Sequence, residues 1–156
     1  MTMLSSGPSH PALSHTDRLA ANWADFLLLV GRIVLGWLFF ISAWGKFNNL
    51  PGFLAYVTSL KMVYPGFWQW AVPPVEMLIG ATLILGLATR YAALATFVFV
   101  FIATVVAHRY WEYPAAQQAN QYNHFLKNLA IMGGSLFLFV TGGGRYSLDA
   151  WLTKRR

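Results

Sequence analysis

Long apolar runs alternate with short polar stretches along the chain, and the charged residues mark where each run stops. Between Asp25 and Lys46 the only charge is Arg32. A bilayer crossing takes about 20 mostly apolar residues at a rise of about 1.5 Å each, so this run predicts a first span over 26–46. A second is predicted over 72–89. It opens at Pro73-Pro74, where missing N–H groups cost little in the first turn of a helix, and Glu76 follows just inside. The uncharged stretch Tyr91–Ala107 predicts a third span over 91–109, and the uncharged stretch Asn128–Gly144 a fourth over 125–142.

Four such runs imply an all-α polytopic membrane protein, a four-helix transmembrane bundle. Open sheet edges do not sit in hydrocarbon, and four segments are too few for a closed barrel. A soluble bundle would need polar outer faces that the third and fourth runs lack. The chain divides into a leader over 1–25, a transmembrane domain over 26–144 and a basic tail over 145–156. The leader has no small-residue cleavage site and does not read as a signal peptide. Ser14 and Asp17 stand at capping-box spacing and predict a short helix over 14–25 leading into the first span. Segment 48–71, with Phe53, Tyr56, Phe67, Trp68 and Trp70, is expected to form a surface loop. Within it a short amphipathic helix is predicted over Phe53–Met62, ended by a turn at Tyr64-Pro65-Gly66. Arg90 directly precedes Tyr91, which requires a tight hairpin between spans two and three. Residues 111–121 read as a polar loop, and Gly142-Gly143-Gly144 as the stop of span four.

Composition agrees with the pattern. Hydrophobic residues make up 57% and charged residues 10%, against about 25% charged in a soluble domain. The net charge of +6 comes from basic residues scattered singly, with no zinc-finger, RNP or helix-turn-helix pattern, which argues against nucleic acid as a partner. The absence of Cys excludes disulfides, thiol redox chemistry and Cys-ligated iron–sulfur or zinc centres in this chain. Four spans place both termini on one side, with Arg18, Arg90, Arg145, Lys154, Arg155 and Arg156. The other side holds Lys46, Lys61, Arg109 and Lys127. That excess predicts cytoplasmic termini.

The same topology gathers Lys46, Glu76, His108, Arg109, His124 and Lys127 at one membrane face. His124, Lys127 and Asn128 share a helical face. Such a cluster suits a polar, redox-active or acidic head group. A carboxylate within a span must be paired, so Glu76 is either a proton carrier beside Lys46 or Lys127, or one half of a structural salt bridge. His108 and His124 offer proton exchange, a hydrogen bond to a quinone carbonyl, or axial haem ligation. Two His on different helices are a weak haem pattern, and no metal site is assigned. Arg32 must snorkel, pair or bind an anion. It shares a face with Gly36 and Ala43, and Asp25 lies seven residues upstream as a candidate partner. Gly80 and Gly133-Gly134 are expected to be packing glycines.

The order of these pieces resembles the DoxX family of small four-span bacterial membrane proteins. The resemblance runs through Arg32-Ile33-Val34-Leu35-Gly36, Gly45-Lys46-Phe47, Glu76 and Leu85-Gly86-Leu87-Ala88-Thr89-Arg90. It continues through His108 with Trp111, His124-Phe125-Leu126-Lys127-Asn128-Leu129-Ala130 and residues 142–149. It implies a multi-pass protein of the bacterial cytoplasmic (inner) membrane. Members are described as membrane oxidoreductases or quinone-linked subunits, associated with quinol oxidase, thiosulfate:quinone oxidoreductase or redox-stress complexes. Carried onto this chain, the recurring polar positions are Arg32, Lys46, Glu76, Arg90, His124, Lys127 and Asn128. The expectation is a quinone-interacting subunit rather than a complete enzyme. Glu76 and His108 or His124 would handle protons, and Lys46 and Lys127 would stabilise charge on reduced quinone oxygen. No covalently bound cofactor is expected. The expected partners are membrane lipids, an electron-donating protein or other membrane subunit, and a second copy of the chain. A scaffold subunit and a carrier for a small anionic or lipid-like solute stay open as alternatives.

Overall fold

The computed structural model of the protein describes residues 14–154. Residues 1–13 of the expected leader, and Arg155 and Arg156 of the expected basic tail, lie outside the described residues. Six α-helices follow one another: α1 (Ser14–Asn48), α2 (Leu50–Ser59), α3 (Pro65–Leu85), α4 (Thr89–Ala107), α5 (Ala115–Thr141) and α6 (Leu148–Lys154), with a 3-10 turn at Tyr110–Glu112 between α4 and α5. Among the described residues, three segments are long and apolar enough to cross a membrane: α1, α4 with the turn after it, and α5. Gln69, Pro73-Pro74 and Glu76 dilute the apolar character of α3, which stands outside that set.

Several boundaries differ from the sequence expectation for identifiable reasons. The predicted short helix over 14–25 is the first part of a continuous 35-residue α1, because no residue between Ser14 and Asn48 is Pro. Helix α2 starts three residues earlier than predicted. The Asn49 side chain accepts from the Gly52 N–H at 3.0 Å, and Pro51 sits in the first turn, where its missing donor is harmless. The turn expected at Tyr64-Pro65-Gly66 is instead the start of α3: Tyr64 has a left-handed backbone (φ 54°) and Pro65 opens the helix. Pro73-Pro74 therefore lie inside α3 rather than at its beginning. Helix α5 begins at Ala115, so most of the expected polar loop 111–121 is helical. Ala and Gln favour helix whether or not the segment is apolar.

Helix α1 buries Arg32, Gly36, Phe39 and Ala43, one stripe at heptad spacing. Helix α3 answers with Pro73, Glu76, Ile79, Gly80 and Leu83, and the two run antiparallel. At their crossing the backbones touch. A Cβ on Gly36 would lie 2.7 Å from the Gly80 carbonyl oxygen, and one on Gly80 would lie 2.8 Å from the Gly36 oxygen. Gly80 is thus a packing glycine, as expected. Gly133 and Gly134 are not: a Cβ on either meets nothing within 4 Å. Helices α4 and α5 form the second antiparallel pair, joined from Arg90 and Val140 at one end to His108 and Gln121 at the other. Phe39, Ile79, Leu83, Ala93, Val100, Met132 and Leu138 make the shared core. Large apolar side chains such as Leu78 and Phe137 face outward, at 65% and 76% exposure, which suits a lipid solvent.

The glycine crossing generates the first prediction. Gly36→Leu or Gly80→Leu should lower stability by about 1–3 kcal/mol through overpacking, whereas Gly133→Ala should leave it unchanged. Thermal unfolding of purified protein in one detergent checks both directions.

Candidate functional site

At the end of the molecule that carries the described termini, charged groups close helix ends. The last carbonyls of a helix have no intrahelical donor and attract positive charge. Arg32, only 1% exposed, reaches from α1 to the end of α3 and donates to the Leu83 and Ile84 carbonyls at 3.0 and 3.2 Å. Its other terminal nitrogen donates to the Tyr146 carbonyl at 2.6 Å. Asp25, the expected partner of Arg32, instead accepts from the Arg145 N–H at 2.8 Å. Arg90 performs the same task for α5, donating to the Phe139 and Val140 carbonyls. Asp149 supplies the opposite charge where the dipole wants it: its two oxygens accept from the Ala88 and Thr89 N–H groups at the start of α4, at 2.7 and 2.8 Å.

This lattice needs tight backbone. Gly86 ends α3 in the left-handed region (φ 65°). Its N–H returns to the Leu83 carbonyl while the Leu87 N–H returns to Thr82, the pairing that terminates many helices on glycine. A Cβ here would strike the Arg32 guanidinium at 2.2 Å.

At the other end the residues expected to form one cluster fall into two pairs. Lys46 of α1 lies 2.7 and 2.9 Å from the two oxygens of Glu76 on α3. It also donates to Ser42 Oγ at 2.6 Å and sits 5.4 Å from the centre of the Phe53 ring. The glutamate is buried and the lysine mostly so. On the second helix pair, His108 and His124 stack with ring centres 4.9 Å apart and planes 14° from parallel. His108 Nδ1 shares a hydrogen bond with Gln121 Oε1 at 2.8 Å. Deeper in α5, Asn128 donates to Thr104 Oγ1 at 2.8 Å. Arg109 pairs with Glu112 at 3.2 Å across an exposed turn, and Lys127 makes no hydrogen bond or ion pair among the described residues. No hydrogen bond or ion pair among the described residues joins the Lys46–Glu76 pair to the histidines. No three His, Asp and Glu side chains among the described residues gather into a metal-binding cluster.

Sequence reasoning missed the setting of the imidazoles. Tyr110 packs edge-on against Trp111, Tyr122 and Phe125 at 5.0–5.6 Å between ring centres. This aromatic group borders both histidines along the chain. The signal was present: Tyr110 and Trp111 lie two and three residues after His108, and Tyr122 and Phe125 bracket His124. Gln121 and Thr104 carried no comparable signal.

Apolar helices packed antiparallel, buried charges paired inside and large apolar residues outside define an all-helical integral membrane protein. The DoxX family model matches residues 27–109. The chain is also 34% identical over 131 residues to inner membrane protein YqjF of Escherichia coli (strain K12), across 84% of this chain and 95% of the relative. It is 29% identical over 123 residues to inner membrane protein YphA of the same organism, across 79% and 88%. The chain belongs to the DoxX family. No solved structure matches it significantly. The matched region holds Arg32, Lys46, Glu76, Arg90 and His108, while His124, Lys127 and Asn128 lie beyond it.

The buried ion pair carries the second prediction. Glu76→Leu or Lys46→Met alone strands a charge and should cost about 3 kcal/mol, whereas the double substitution should recover most of that loss. A double-mutant cycle on thermal unfolding reads the coupling.

Proposed function

We propose that the chain is a four-span inner-membrane subunit of a redox system, with cytoplasmic termini, that receives a quinone or quinol head group at His108 and His124. The stacked imidazole pair is the observation that carries this reading. Only one of its four ring nitrogens, His108 Nδ1, has a hydrogen-bond partner among the described residues. The others are open to a carbonyl or hydroxyl oxygen, and an imidazole near neutrality both donates and accepts protons. Tyr110, Trp111 and Phe125 add aromatic surface for a planar ring. Lys127 lies on the same helical face as His124 and supplies positive charge where a reduced oxygen would develop it. Glu76 and Lys46 neutralise each other and serve this reading as packing elements. Electrons would come from a partner protein.

Helix α3 is the fourth span in this proposal. Its 21 residues rise about 31 Å, close to the hydrocarbon thickness of about 30 Å. Its one carboxylate is neutralised by Lys46, and Arg32 covers its final carbonyls. The relatives' inner-membrane names support the location.

A second reading, a scaffold subunit, draws support from a different observation. Arg32, Arg90, Asp149, Lys46 and Glu76 are all consumed by contacts within the chain.

Mass spectrometry of the organic extract from protein purified in native-lipid particles separates the two. Stoichiometric quinone is expected in the unsubstituted protein. His108→Phe with His124→Phe keeps the ring stack but removes the nitrogens, and should cut quinone occupancy about tenfold, the equivalent of one strong hydrogen bond. An extract free of quinone from intact protein would overturn the proposal in favour of the scaffold.

A further inference from the structure

Below the Arg32 anchor, a cleft of about 490 Å³ opens between the start of the apolar run in α1 and the segment leading into α6. Asn22, Trp23, Asp25, Phe26, Arg145 and Tyr146 line it. We infer that this cleft is a binding site for the head group of an amine-bearing zwitterionic phospholipid, with the phosphate on Arg145 and the primary ammonium on Asp25.

Position comes first. Asp25 is the last charge before the apolar run 26–31 that precedes Arg32, so the cleft lies at the depth where head groups meet hydrocarbon. Trp23, Phe26 and Tyr146 are all about half exposed, and Trp and Tyr prefer that depth. Trp23 and Phe26 pack edge-on at 5.8 Å, giving the cleft an apolar wall for the first methylenes of the acyl chains.

The walls are fixed before any ligand arrives. Asp25 holds the Arg145 N–H, and Arg32 holds the Tyr146 carbonyl. Gly144 (φ 69°) brings this segment so close to α1 that a Cβ would come within 3.2 Å of Asp25 Oδ1 and 3.1 Å of Leu28. The backbone of Arg145 and Tyr146 is therefore clamped from both sides, and rigid walls lower the ordering cost of binding.

Charge then selects the ligand. The exposed Arg145 forms no ion pair among the described residues, and its planar fork suits a phosphate. Asp25 offers Oδ2, which has no hydrogen-bond partner among the described residues, and Asn22 adds an amide oxygen. A purely anionic head group would meet the Asp25 carboxylate at a cost. A choline head group carries no N–H to donate to it. A primary ammonium a short ethylene linker away from a phosphodiester satisfies both charges. The volume falls in the range of about 300–1,000 Å³ usual for small-ligand sites.

Native mass spectrometry of the purified full chain, titrated with phosphatidylethanolamine, phosphatidylglycerol or phosphatidylcholine of matched acyl chains, tests this. Phosphatidylethanolamine should bind about tenfold more tightly than either competitor. Asp25→Asn keeps an acceptor for the Arg145 N–H but removes the charge, and should abolish the preference over phosphatidylglycerol. Arg145→Gln should weaken both phosphatidylethanolamine and phosphatidylglycerol. Thermal unfolding identifies any variant that has lost its fold, and Trp23→Ala then serves as the second probe, expected to weaken all three lipids. Soluble glycerophosphoethanolamine competing as well as the intact lipid would assign the site to a free phosphoester instead. Equal binding of the three lipids by folded protein, or a preference unchanged by Asp25→Asn and Arg145→Gln, would overturn the inference.

Discussion

The last carbonyls of a helix need donors, and in a membrane water is a poor supplier of them. Arg32 is where this chain meets that constraint. One guanidinium joins α1, the end of α3 and the segment at Tyr146, so it fixes three stretches of chain that are far apart in sequence. Once it is seated, the register of α1 against α3 follows. Gly36 falls at Gly80, and Lys46 falls at Glu76. The lysine lies fourteen residues beyond the arginine along α1, an axial distance of about 21 Å. The helix pair is therefore held by a polar contact near each end and by bare backbone contact between them.

The two ends of the bundle are built from different chemistry. At one, Arg32, Arg90 and Asp149 are aimed at the backbone groups of helix ends. At the other, one ion pair closes on itself and leaves a stacked imidazole pair with spare hydrogen-bonding capacity beside an aromatic group. That division explains how charges survive in an apolar chain: Arg32, Arg90 and Asp149 do for helix ends the work that solvent does in a soluble protein, and Lys46 and Glu76 neutralise each other.

The helical membrane class was legible because apolar runs of this length have one physical solution in lipid. Glu76 was readable as a carboxylate that must be paired, because it stands in an apolar run, and Lys46 and Lys127 were the candidates; the packing of α1 on α3 gives it Lys46. The boundaries were harder. Hydropathy reports where hydrocarbon begins, whereas helices α1 and α5 extend well beyond it through polar residues with good helix propensity. Pro73-Pro74 and Pro65 are equally good helix starts by local rules, and only the packing of α3 against α1 decides between them. Arg32 was identified as costly, yet its partners are main-chain carbonyls, which every residue possesses and no sequence pattern marks. The candidate site was legible as an end of the bundle, not as contacts. Helical periodicity places His108 and His124 at one depth but does not say that their rings stack.

Asp149 caps a helix that begins sixty residues before it in the chain. A ribosome therefore releases α4 well before the carboxylate that satisfies its first N–H groups. The end of α3 waits in the same way for the Tyr146 segment that completes the coordination of Arg32. During synthesis these helix termini must rely on water, lipid head groups or the insertion machinery. The fold thus carries its own completion signal, because the capping of the α3 end and the α4 start is finished only when the segment around residues 146–149 has arrived.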